Sequence, residues 1–351
     1  MLRHAFQKHT LQFKRPGGTS RGVLKTKDSW ILKIWEEGNA NVFGLGECSI
    51  IERLSPDPID QIEMVLTNMD LMDLSVNRLP ISELGDFPAI HFAVETALMD
   101  LNNGGKRIVC PSPFTQEKSC IPINGLIWMG DISFMKDQIR EKLALGFRCL
   151  KLKIGATEFD SEIDLLQKIR SEYPIEDLEL RVDANGAFEY SNALEKLKRL
   201  NELDLHSIEQ PIRHGQIEEM AYLCENSPLD IALDEELIGI RESQKRITLL
   251  KTIRPQYIIL KPSLVGGMCH AADWIQIAES YDIQWWVTSA LESNIGLNAI
   301  AQWTATLSTN MFQGLGTGQL FTNNFDAPLE LNGDELWYRQ EKDWNYLGLN
   351  I

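Results

Sequence analysis

The sequence predicts an α/β fold, a (β/α) barrel of the modified TIM-barrel type, in the second part of the chain. From residue 120 onward, short runs rich in Val, Ile and Leu alternate with amphipathic stretches that are typical of helices. The runs recur at nearly regular intervals, as in a parallel barrel where a helix follows each strand. With 351 residues, the chain is long enough for about two domains. An open doubly wound sheet has the same alternation and remains the alternative.

The front part, residues 1–119, lacks this regular alternation and predicts a separate domain. Residues 29–36 (SWILKIWE) predict a strand, and the glycine-rich residues 44–49 (GLGECS) predict a bend. The apolar segment 89–101 follows a proline and predicts a helix. Residues 14–22 (KRPGGTSRG) crowd Pro, Gly, Thr and Ser together and predict a mobile loop.

The barrel is predicted over residues 120–320. Two of its helices, 160–173 and 191–203, have apolar residues at i, i+3, i+4 and i+7. After residue 320 the pattern lapses, and the tail, 321–351, is expected to fold back onto the first domain. The predicted barrel strands are 121–127, 149–154, 180–184, 207–210, 231–234, 257–261, 285–288 and 311–315.

Composition and charge restrict the possible partners. The chain has 34 basic and 50 acidic residues, a formal net charge of −16, so it should be repelled by nucleic acids and by anionic membranes. A small molecule is the expected partner. The six cysteines form no CxxC pair, the first residues contain no apolar stretch like a signal peptide, and no run approaches the ~18 apolar residues of a spanning helix. The expected location is the cytoplasm.

Charged residues stand where a buried parallel strand should be apolar. Central barrel strands are covered on both sides, and an unpaired buried charge is costly. Yet five successive predicted strands carry charges at or near their carboxyl ends. These residues are Lys151, Lys153, Asp183, Glu209, Asp234 and Lys261. Because side chains alternate along a strand, Arg181 and Asp183 share a face, which can be the interior of the barrel.

The three carboxylates among these residues predict a metal site. Asp183, Glu209 and Asp234 lie on consecutive strands about 4.8 Å apart, and like charges that converge need a cation. The donors are hard oxygens with no His or Cys in the same motifs, so Mg²⁺ is favoured over Zn²⁺. Lysines precede and follow the trio in strand order, and a partly desolvated amine near a cation can act as a base at neutral pH.

Other interpretations of these residues are open. A single Asp or Lys at a strand end is usually a solvated boundary residue, and only the shared position in five strands favours a site. A Schiff-base aldolase would use Lys153 or Lys261 without a metal, and an acidic barrel can also be a non-catalytic scaffold. Arg181 is a candidate substrate ligand or the partner of an acid. Ser289 is a candidate substrate ligand, and the alternative is that this segment supplies only a helix cap through Ser293.

Five motifs, taken in order, resemble the muconate-lactonizing subgroup of the enolase superfamily. They are KLKIG, VDANG, IEQPI, ALDEE and ILKPS. The resemblance covers about residues 120–320 and implies that both termini build an α+β capping domain on the barrel. The front part matches this pattern only weakly outside the loop at 14–22.

The resemblance also implies roles for the residues in these motifs. Lys153 is expected to be the general base, supported by Lys151, with Lys261 on the opposite face of the substrate. Asn185 and Glu235 are expected beside the metal ligands, without direct contact to the metal. The implied ligands of Mg²⁺, for which Mn²⁺ is the expected substitute, are Asp183, Glu209 and Asp234.

Shorter segments narrow the resemblance to o-succinylbenzoate synthases. Residues 288–296 (TSALESNIG), 314–325 (GLGTGQLFTNNF) and the loop at 14–22 are similar to that family. Gly316, in the second segment, is a candidate substrate contact or part of a tight turn. The implied reaction is a Mg²⁺-dependent syn dehydration of 2-succinyl-6-hydroxy-2,4-cyclohexadiene-1-carboxylate in menaquinone synthesis, through a metal-stabilised enediolate. N-acylamino-acid racemases and dipeptide epimerases share much of the same frame and remain alternatives.

Overall fold

Three sheets build the protein in the part of the chain that the structure describes. The computed structural model describes residues 1–19, 22–71, 84–346 and 348–351. Within these ranges, the strands form an antiparallel sheet near the N-terminus, a seven-stranded parallel sheet and a small sheet shared with the tail. No helix in them is long and apolar enough to cross a membrane.

The first sheet packs against a long apolar helix. Its antiparallel strands are β1 (Leu2–Thr19), β2 (Gly22–Glu36) and β3 (Phe43–Ser49). A 3₁₀ turn (Ile59–Gln61) and the helices α1 (Ile62–Asn68) and α2 (Pro88–Asn102) follow. Alternate residues of β2 point into one core with residues of α2, as its apolar pattern predicts. The core residues shared by these two elements include Trp30, Leu32, Ile34, Ile90, Ala93 and Ala97.

The predicted bend at 44–49 is wrong, because these residues form β3. Their glycines serve the packing of α2 and do not make a turn. A Cβ atom on Gly44 would lie 1.8 Å from the carbonyl oxygen of Ala97, and one on Gly46 would lie 1.9 Å from that of Ala93. The strand therefore needs glycine at both positions so that the helix backbone can approach it.

The predicted loop at 14–22 is also corrected by the structure. Ser20 and Arg21 are not among the described residues, and all the other residues of this segment belong to the hairpin of β1 and β2. Ladder pairing is resumed near the tip, where Gly18 faces Val23. The turn-forming composition therefore marks the end of a long hairpin.

An irregularity in β1 explains why this segment looks like a loop in sequence. The pairing with β2 shifts register between Gln12 and Gly17, and Pro16, which has no amide hydrogen, lies within that shift. Phe13 instead forms an isolated bridge with Phe321 of the tail. The hairpin is thereby paired on both sides, through contacts between residues far apart in sequence.

The parallel sheet confirms the prediction of a (β/α) barrel. Neighbouring strands in the sheet follow the order of the chain. The strands are β5 (Gly125–Ile127), β6 (Cys149–Lys153), β7 (Glu179–Asp183), β8 (Ser207–Glu209), β9 (Ile231–Leu233), β10 (Tyr257–Leu260) and β11 (Gln284–Val287).

The first and last predicted barrel strands need correction. Residues 121–127 divide into β4 (Ile121–Pro122), which pairs with the tail, and β5 of the barrel. Residues 311–315 form single bridges and no regular strand: Gln313 pairs with Ile123, and Gly314 pairs with Thr288. Because these two bridges connect the two edge regions of the sheet, they close the ring at the eighth position.

Helices cover the barrel between successive strands. Their apolar faces and the strands share one large core, as expected for strands buried on both sides. Short 3₁₀ helices occupy Phe114–Gln116 and Glu235–Leu237. The helices are α3 (Ile132–Ala144), α4 (Phe159–Glu172), α5 (Tyr190–Asn201), α6 (Ile217–Asn226), α7 (Ser243–Ile253), α8 (Pro262–Val265), α9 (Met268–Glu279) and α10 (Asn294–Thr304).

The tail contacts both the barrel and the first sheet. Strands β12 (Leu329–Asn332) and β13 (Glu335–Tyr338) form a hairpin that adds to β4. The last residues reach the first sheet, where Gln7 donates a hydrogen bond to the carbonyl of Gly348 at 2.7 Å. The division into domains 1–119, with 321–351, and 120–320 stays a prediction.

Candidate active site

The strand register brings the predicted carboxylates together at the carboxyl ends of the barrel strands. Lys153 of β6 lies opposite Asp183 of β7, and Asp183 lies opposite Glu209 of β8. Asp234 and Lys261 follow directly after β9 and β10. All five therefore lie at the end of the barrel where active sites of this architecture are built.

The lysines form ion pairs with the carboxylates. The Nζ atom of Lys151 lies 3.0 Å from Asp183 Oδ2, and it also contacts Glu209. Lys153 Nζ lies 2.9 Å from the same Oδ2 atom of Asp183. On the other side of the group, Lys261 pairs with Asp234. The amines thus flank the carboxylates in the order that the sequence predicts.

The pKa shifts follow from this concentration of buried charge. Burial lowers the pKa of Lys151, but the negative charges of Asp183 and Glu209 outweigh it and raise the pKa above its ordinary value. Burial favours a raised pKa for Asp183, yet Lys151 and Lys153 hold it well below its ordinary value. Burial, followed by repulsion from Asp183, raises the pKa of Glu209 well above its ordinary value. Burial and the neighbouring carboxylates therefore disfavour the negative charge of Glu209, whereas the amines favour that of Asp183.

The opposite side of the group shows the same balance. Burial raises the pKa of Asp234, but its ion pair with Lys261 lowers it overall. Burial lowers the pKa of Lys261, and the carboxylates of Asp234 and Glu209 more than compensate. Glu209 Oε1 is buried and has no hydrogen-bond partner among the residues that the structure describes. An oxygen of this kind, beside two other carboxylates, is suited to a hard cation.

Asn185 and Glu235 lie beside this charged group. Lys153 donates a hydrogen bond to Asn185 Oδ1 at 2.7 Å, and the amide of Asn185 donates to Glu235 Oε1 at 3.1 Å. The backbone N–H of Asn185 also donates to Asp183 Oδ1 at 3.0 Å. The φ angle of Asn185 is 44°, in the left-handed region that Asn tolerates better than most residues. These contacts orient Lys153 and Asp183.

A cavity of about 380 Å³ opens above the charged group. Glu209 and Asp234 are buried beside it, in contact with Lys151 and Lys261. Ser289 Oγ lies 2.6 Å from the hydroxyl of Thr317. The predicted site residues that line the cavity are Lys151, Lys153, Asp183, Asn185, Lys261, Ser289 and Gly316.

Two further hypotheses from the sequence concern Ser293 and Arg181. Ser293 caps α10, because its Oγ accepts a hydrogen bond from the N–H of Ile295. Arg181 does not line the cavity, so the prediction that it is a substrate ligand is not supported. Its guanidinium pairs with Glu179 at 2.6 Å and lies 4.3 Å from the ring centre of Trp286. Arg181 shares the interior face with Asp183, but it lies nearer the amino end of β7, below the cavity.

Several lining residues were not found from the sequence. Val23, Arg53, Trp128 and Leu291 line the cavity, and the first two come from the front part of the chain. Trp128 has a signal in the sequence, because it directly follows a barrel strand, as Lys261 does, and Leu291 lies in the segment 288–296, which the family resemblance includes. The contribution of the front part depends on contacts between domains, which local sequence patterns do not encode.

A second cluster lies between α2 and α9, outside the cavity. His91, Cys269 and His270 have ligand atoms within 4.8 Å of one another. The sequence gives no sign of it, because His91 is distant in the chain. Arg246 donates a hydrogen bond to His270 Nδ1 at 2.8 Å, so that lone pair is used and a positive charge is adjacent. We therefore assign no metal to this cluster.

Comparison with known proteins identifies the family. Residues 135–337 match the family described as Enolase C-terminal domain-like. The chain belongs to the enolase superfamily. The match covers more than half of the chain and includes the three carboxylates together with Lys151, Lys153 and Lys261, so the predicted superfamily membership is confirmed.

Individual members of the enolase superfamily resemble nearly the whole chain. An o-succinylbenzoate synthase of Desulfotalea psychrophila is 49% identical over 360 residues, which cover 94% of this chain and 97% of that protein. The crystal structure of MenC from Desulfotalea psychrophila has a TM-score of 0.84 at 46% identity and covers 96% of this chain and 99% of that one. Muconate lactonizing enzyme from Pseudomonas fluorescens has a TM-score of 0.83 at 20% identity, over 98% and 96% of the two chains. The last likeness shows the fold alone.

Proposed function

We propose that this protein is an o-succinylbenzoate synthase. It would convert 2-succinyl-6-hydroxy-2,4-cyclohexadiene-1-carboxylate to o-succinylbenzoate, with loss of water, in the cytoplasm. The observation that carries the proposal is the 49% identity to the synthase of Desulfotalea psychrophila over nearly the full length of both chains. The cavity supports the proposal, because Lys151 and Lys261 line it and are paired with carboxylates, and acid–base chemistry beside a metal ion needs both kinds of group.

We further propose that Asp183, Glu209 and Asp234 hold one Mg²⁺ ion. The residues fit a divalent cation: three buried carboxylates converge, and Glu209 Oε1 has no hydrogen-bond partner in the described part of the chain. When bound, the cation supplies positive charge that stabilises the substrate carboxylate as its α carbon loses a proton. In the structure, the negative charge of the carboxylates raises the pKa of Lys151 and Lys261. A bound cation would neutralise part of that charge and so lower the pKa of both amines. The lowered amine pKa expected from the sequence depends on that neutralisation.

Lys153 is the proposed acid–base residue. It lines the cavity, and its contacts with Asp183 and Asn185 fix its position. Its neutral amine would accept the proton from the carbon next to the ring carboxylate. The same group, now an ammonium, would donate that proton to the departing hydroxyl, so that C–H and C–O bonds break and one water leaves. Lys151 would keep Lys153 and the carboxylates in place through its own ion pairs.

Lys261 faces the substrate from the other side. In a syn elimination it transfers no proton, and its positive charge would stabilise the electron-rich ring of the intermediate. The ion pair with Asp234 holds its Nζ atom beside the carboxylate group. Ser289 and Gly316 line the cavity and are proposed contacts of the substrate.

A racemase or epimerase of N-acylated amino acids is the second candidate function. Lys153 and Lys261 pair with different carboxylates of the charged group, and amines on both sides of a substrate would suit removal of a proton from one face and its return to the other. The identity to a synthase over nearly the full chain favours dehydration. The Schiff-base aldolase and the non-catalytic scaffold lose support, because neither accounts for the three buried carboxylates.

The decisive experiment measures turnover of the cyclohexadiene substrate by purified protein. Its absorbance should fall in the presence of Mg²⁺, stop falling after EDTA is added, and fall again when excess Mg²⁺ is restored. The same preparation should be tested on a dipeptide and on an N-succinylamino acid. Absence of turnover on the cyclohexadiene, together with rapid epimerisation of either alternative, would overturn the synthase proposal.

A further inference from the structure

Glu47 connects the first sheet to the barrel through a buried set of hydrogen bonds. Its side chain, on β3, is fully buried. The carboxylate accepts hydrogen bonds from Ser29 Oγ at 2.7 Å, from Ser293 N at 2.9 Å and Oγ at 2.5 Å, and from Gly296 N at 2.9 Å. All the bonds except that from Ser29 come from the start of α10. A residue of the front part of the chain thus caps a barrel helix.

The residues before this helix form part of the cavity wall. Ser289, Ala290 and Leu291 all line the cavity, and we call residues 289–292 the wall loop. Leu291 has a φ angle of 62°, in the left-handed region that is unfavourable for a residue with a branched side chain. A conformation of this kind persists only where its surroundings enforce it. The wall loop therefore depends on its hydrogen bonds for its shape.

Glu292, the last residue of the wall loop, also forms hydrogen bonds that hold the loop in place. One of its oxygens accepts a hydrogen bond from Ser263 Oγ, and the other accepts the N–H of Ala290 at 2.8 Å. Ser263 follows Lys261 by two residues at the start of α8. The wall loop is therefore bonded through Glu292 to the segment that carries Lys261, and Ser293, the residue directly after the loop, is bonded to Glu47.

A buried lysine lies near the two glutamates. Lys27 of β2 is 5% exposed, and its Nζ atom contacts the hydroxyl of Ser49 and lies 3.5 Å from that of Ser29. Burial lowers the pKa of Lys27, and the charges of Glu47 and Glu292 oppose this shift. The first sheet thus places a basic group near both of the glutamates that support the wall loop and the start of α10.

We propose that Glu47 is a positioning residue that holds the wall loop in the shape required to bind substrate. The inference rests on the proposed function, since it assigns the wall loop to that substrate. Because every group bonded to Glu47 is a donor, an amide at this position would direct its own N–H hydrogens toward at least one of them. The wall loop would then lose its fixed relation to the cavity, while Lys153 and the carboxylates keep their places.

The test compares Glu47→Gln with Glu95→Gln. Glu95 is the matched control, because it is also buried in the front part and also caps a barrel helix, by accepting the N–H groups of Met268 at 2.5 Å and Cys269 at 2.9 Å. The start of α9 does not line the cavity. Both variants should unfold at a lower temperature than the wild type. Only Glu47→Gln should raise KM, by about tenfold, with a smaller change in kcat.

Ser293→Ala is a milder companion variant in case Glu47→Gln does not fold. It removes one of the bonds to Glu47 and should raise KM in the same direction by a smaller factor. Hydrogen exchange of the peptide containing the wall loop should be faster in Glu47→Gln and in Ser293→Ala than in Glu95→Gln. A KM within twofold of wild type for both Glu47→Gln and Ser293→Ala, or an equal rise in Glu95→Gln, would overturn the inference.

Turnover by the wild-type protein distinguishes a failure of the proposed function from a failure of the positioning role of Glu47. If wild-type protein does not dehydrate the cyclohexadiene but epimerises a dipeptide, the synthase assignment fails and the same KM comparison is made with the dipeptide. If the wild type turns over neither, hydrogen exchange of the wall loop decides. Unchanged exchange in Glu47→Gln would then contradict the positioning role.

Discussion

Lys261 is the residue at which the two candidate reactions differ. In the proposed dehydration it contributes positive charge, whereas in a racemase it must gain or lose a proton. Arginine keeps the charge but does not deprotonate at neutral pH. Lys261→Arg should therefore retain dehydration within about 10²-fold of wild type and lose any racemisation or epimerisation. Rates on the cyclohexadiene and on an N-succinylamino acid measure the two activities.

Lys153→Arg is the matched control for this prediction. It also keeps a positive charge, but it removes the amine that takes the proton, so dehydration should fall by about 10²–10⁴-fold. Equal losses of dehydration in Lys153→Arg and Lys261→Arg would show that Lys261 also transfers a proton, contrary to the proposed mechanism.

His206 gives a residue-scale prediction for stability. Burial is the main reason that the pKa of His206 is lowered from its ordinary value of 6.5 to about 4. The folded protein therefore favours the neutral imidazole ring. The unfolded chain binds the proton more readily, and stability is therefore lost as the pH falls from 6.5 through 4. His206→Asn should reduce this loss by on the order of 3 kcal/mol. Urea unfolding at pH 7 and pH 4.5 measures the difference, and an identical loss in the variant would contradict the burial argument.

The clustering of these charged residues could be predicted from single positions in the sequence, because central barrel strands are otherwise apolar. The lysines, Asp183, Glu209 and Asp234 all stand at one end of the barrel. Arg181 shows the limit of that reasoning. It shares the interior face with Asp183, but alternation along a strand does not say at which height in the barrel a side chain finds its partner.

Two glycines of the first sheet give a prediction at the scale of elements. A Cβ on Gly46 would lie 1.9 Å from the carbonyl oxygen of Ala93 in the packed helix α2, and one on Gly18 would lie 2.4 Å from that of Met129, at the mouth of the barrel. Gly46→Ala should lower the free energy of unfolding by about 1–3 kcal/mol or more. Gly18→Ala should instead displace the hairpin tip, where Val23 lines the cavity, and raise KM.

Each variant is the control for the other. Denaturant unfolding should separate Gly46→Ala from wild type and leave Gly18→Ala nearly unchanged, whereas KM should show the reverse. A stability loss in Gly18→Ala as large as that in Gly46→Ala would mean that the hairpin tip is part of the folding core.

The elements themselves divide into those that sequence patterns reveal and those that they do not. Barrel strands and their helices are recognisable because each buries a local apolar run. The glycines within residues 44–49 suggest a turn in the sequence, whereas in the structure Gly44 and Gly46 allow close contact with α2. The hairpin at 14–22 and the bridges of Gln313 and Gly314 depend on pairing with distant residues, which local composition does not record.

At the scale of the whole molecule, the front part completes a site whose charged groups belong to the barrel. Val23 and Arg53 line the cavity, and Glu47 supports the start of α10. The family model matches residues 135–337, which contain the charged group. The similarity to the Desulfotalea psychrophila synthase covers nearly the whole chain and therefore includes the front part as well. Substrate recognition is therefore expected to depend on the contact between the two parts.

Titration of EDTA-treated protein with Mn²⁺, with free Mn²⁺ measured by electron paramagnetic resonance, tests whether Asp183, Glu209 and Asp234 jointly hold one divalent ion. The wild type should bind one ion per chain, Mg²⁺ should compete for it, and Glu209→Gln should bind far more weakly while remaining folded. Equal binding by the wild type and Glu209→Gln, or no binding by the wild type, would show that these three carboxylates do not form a metal site.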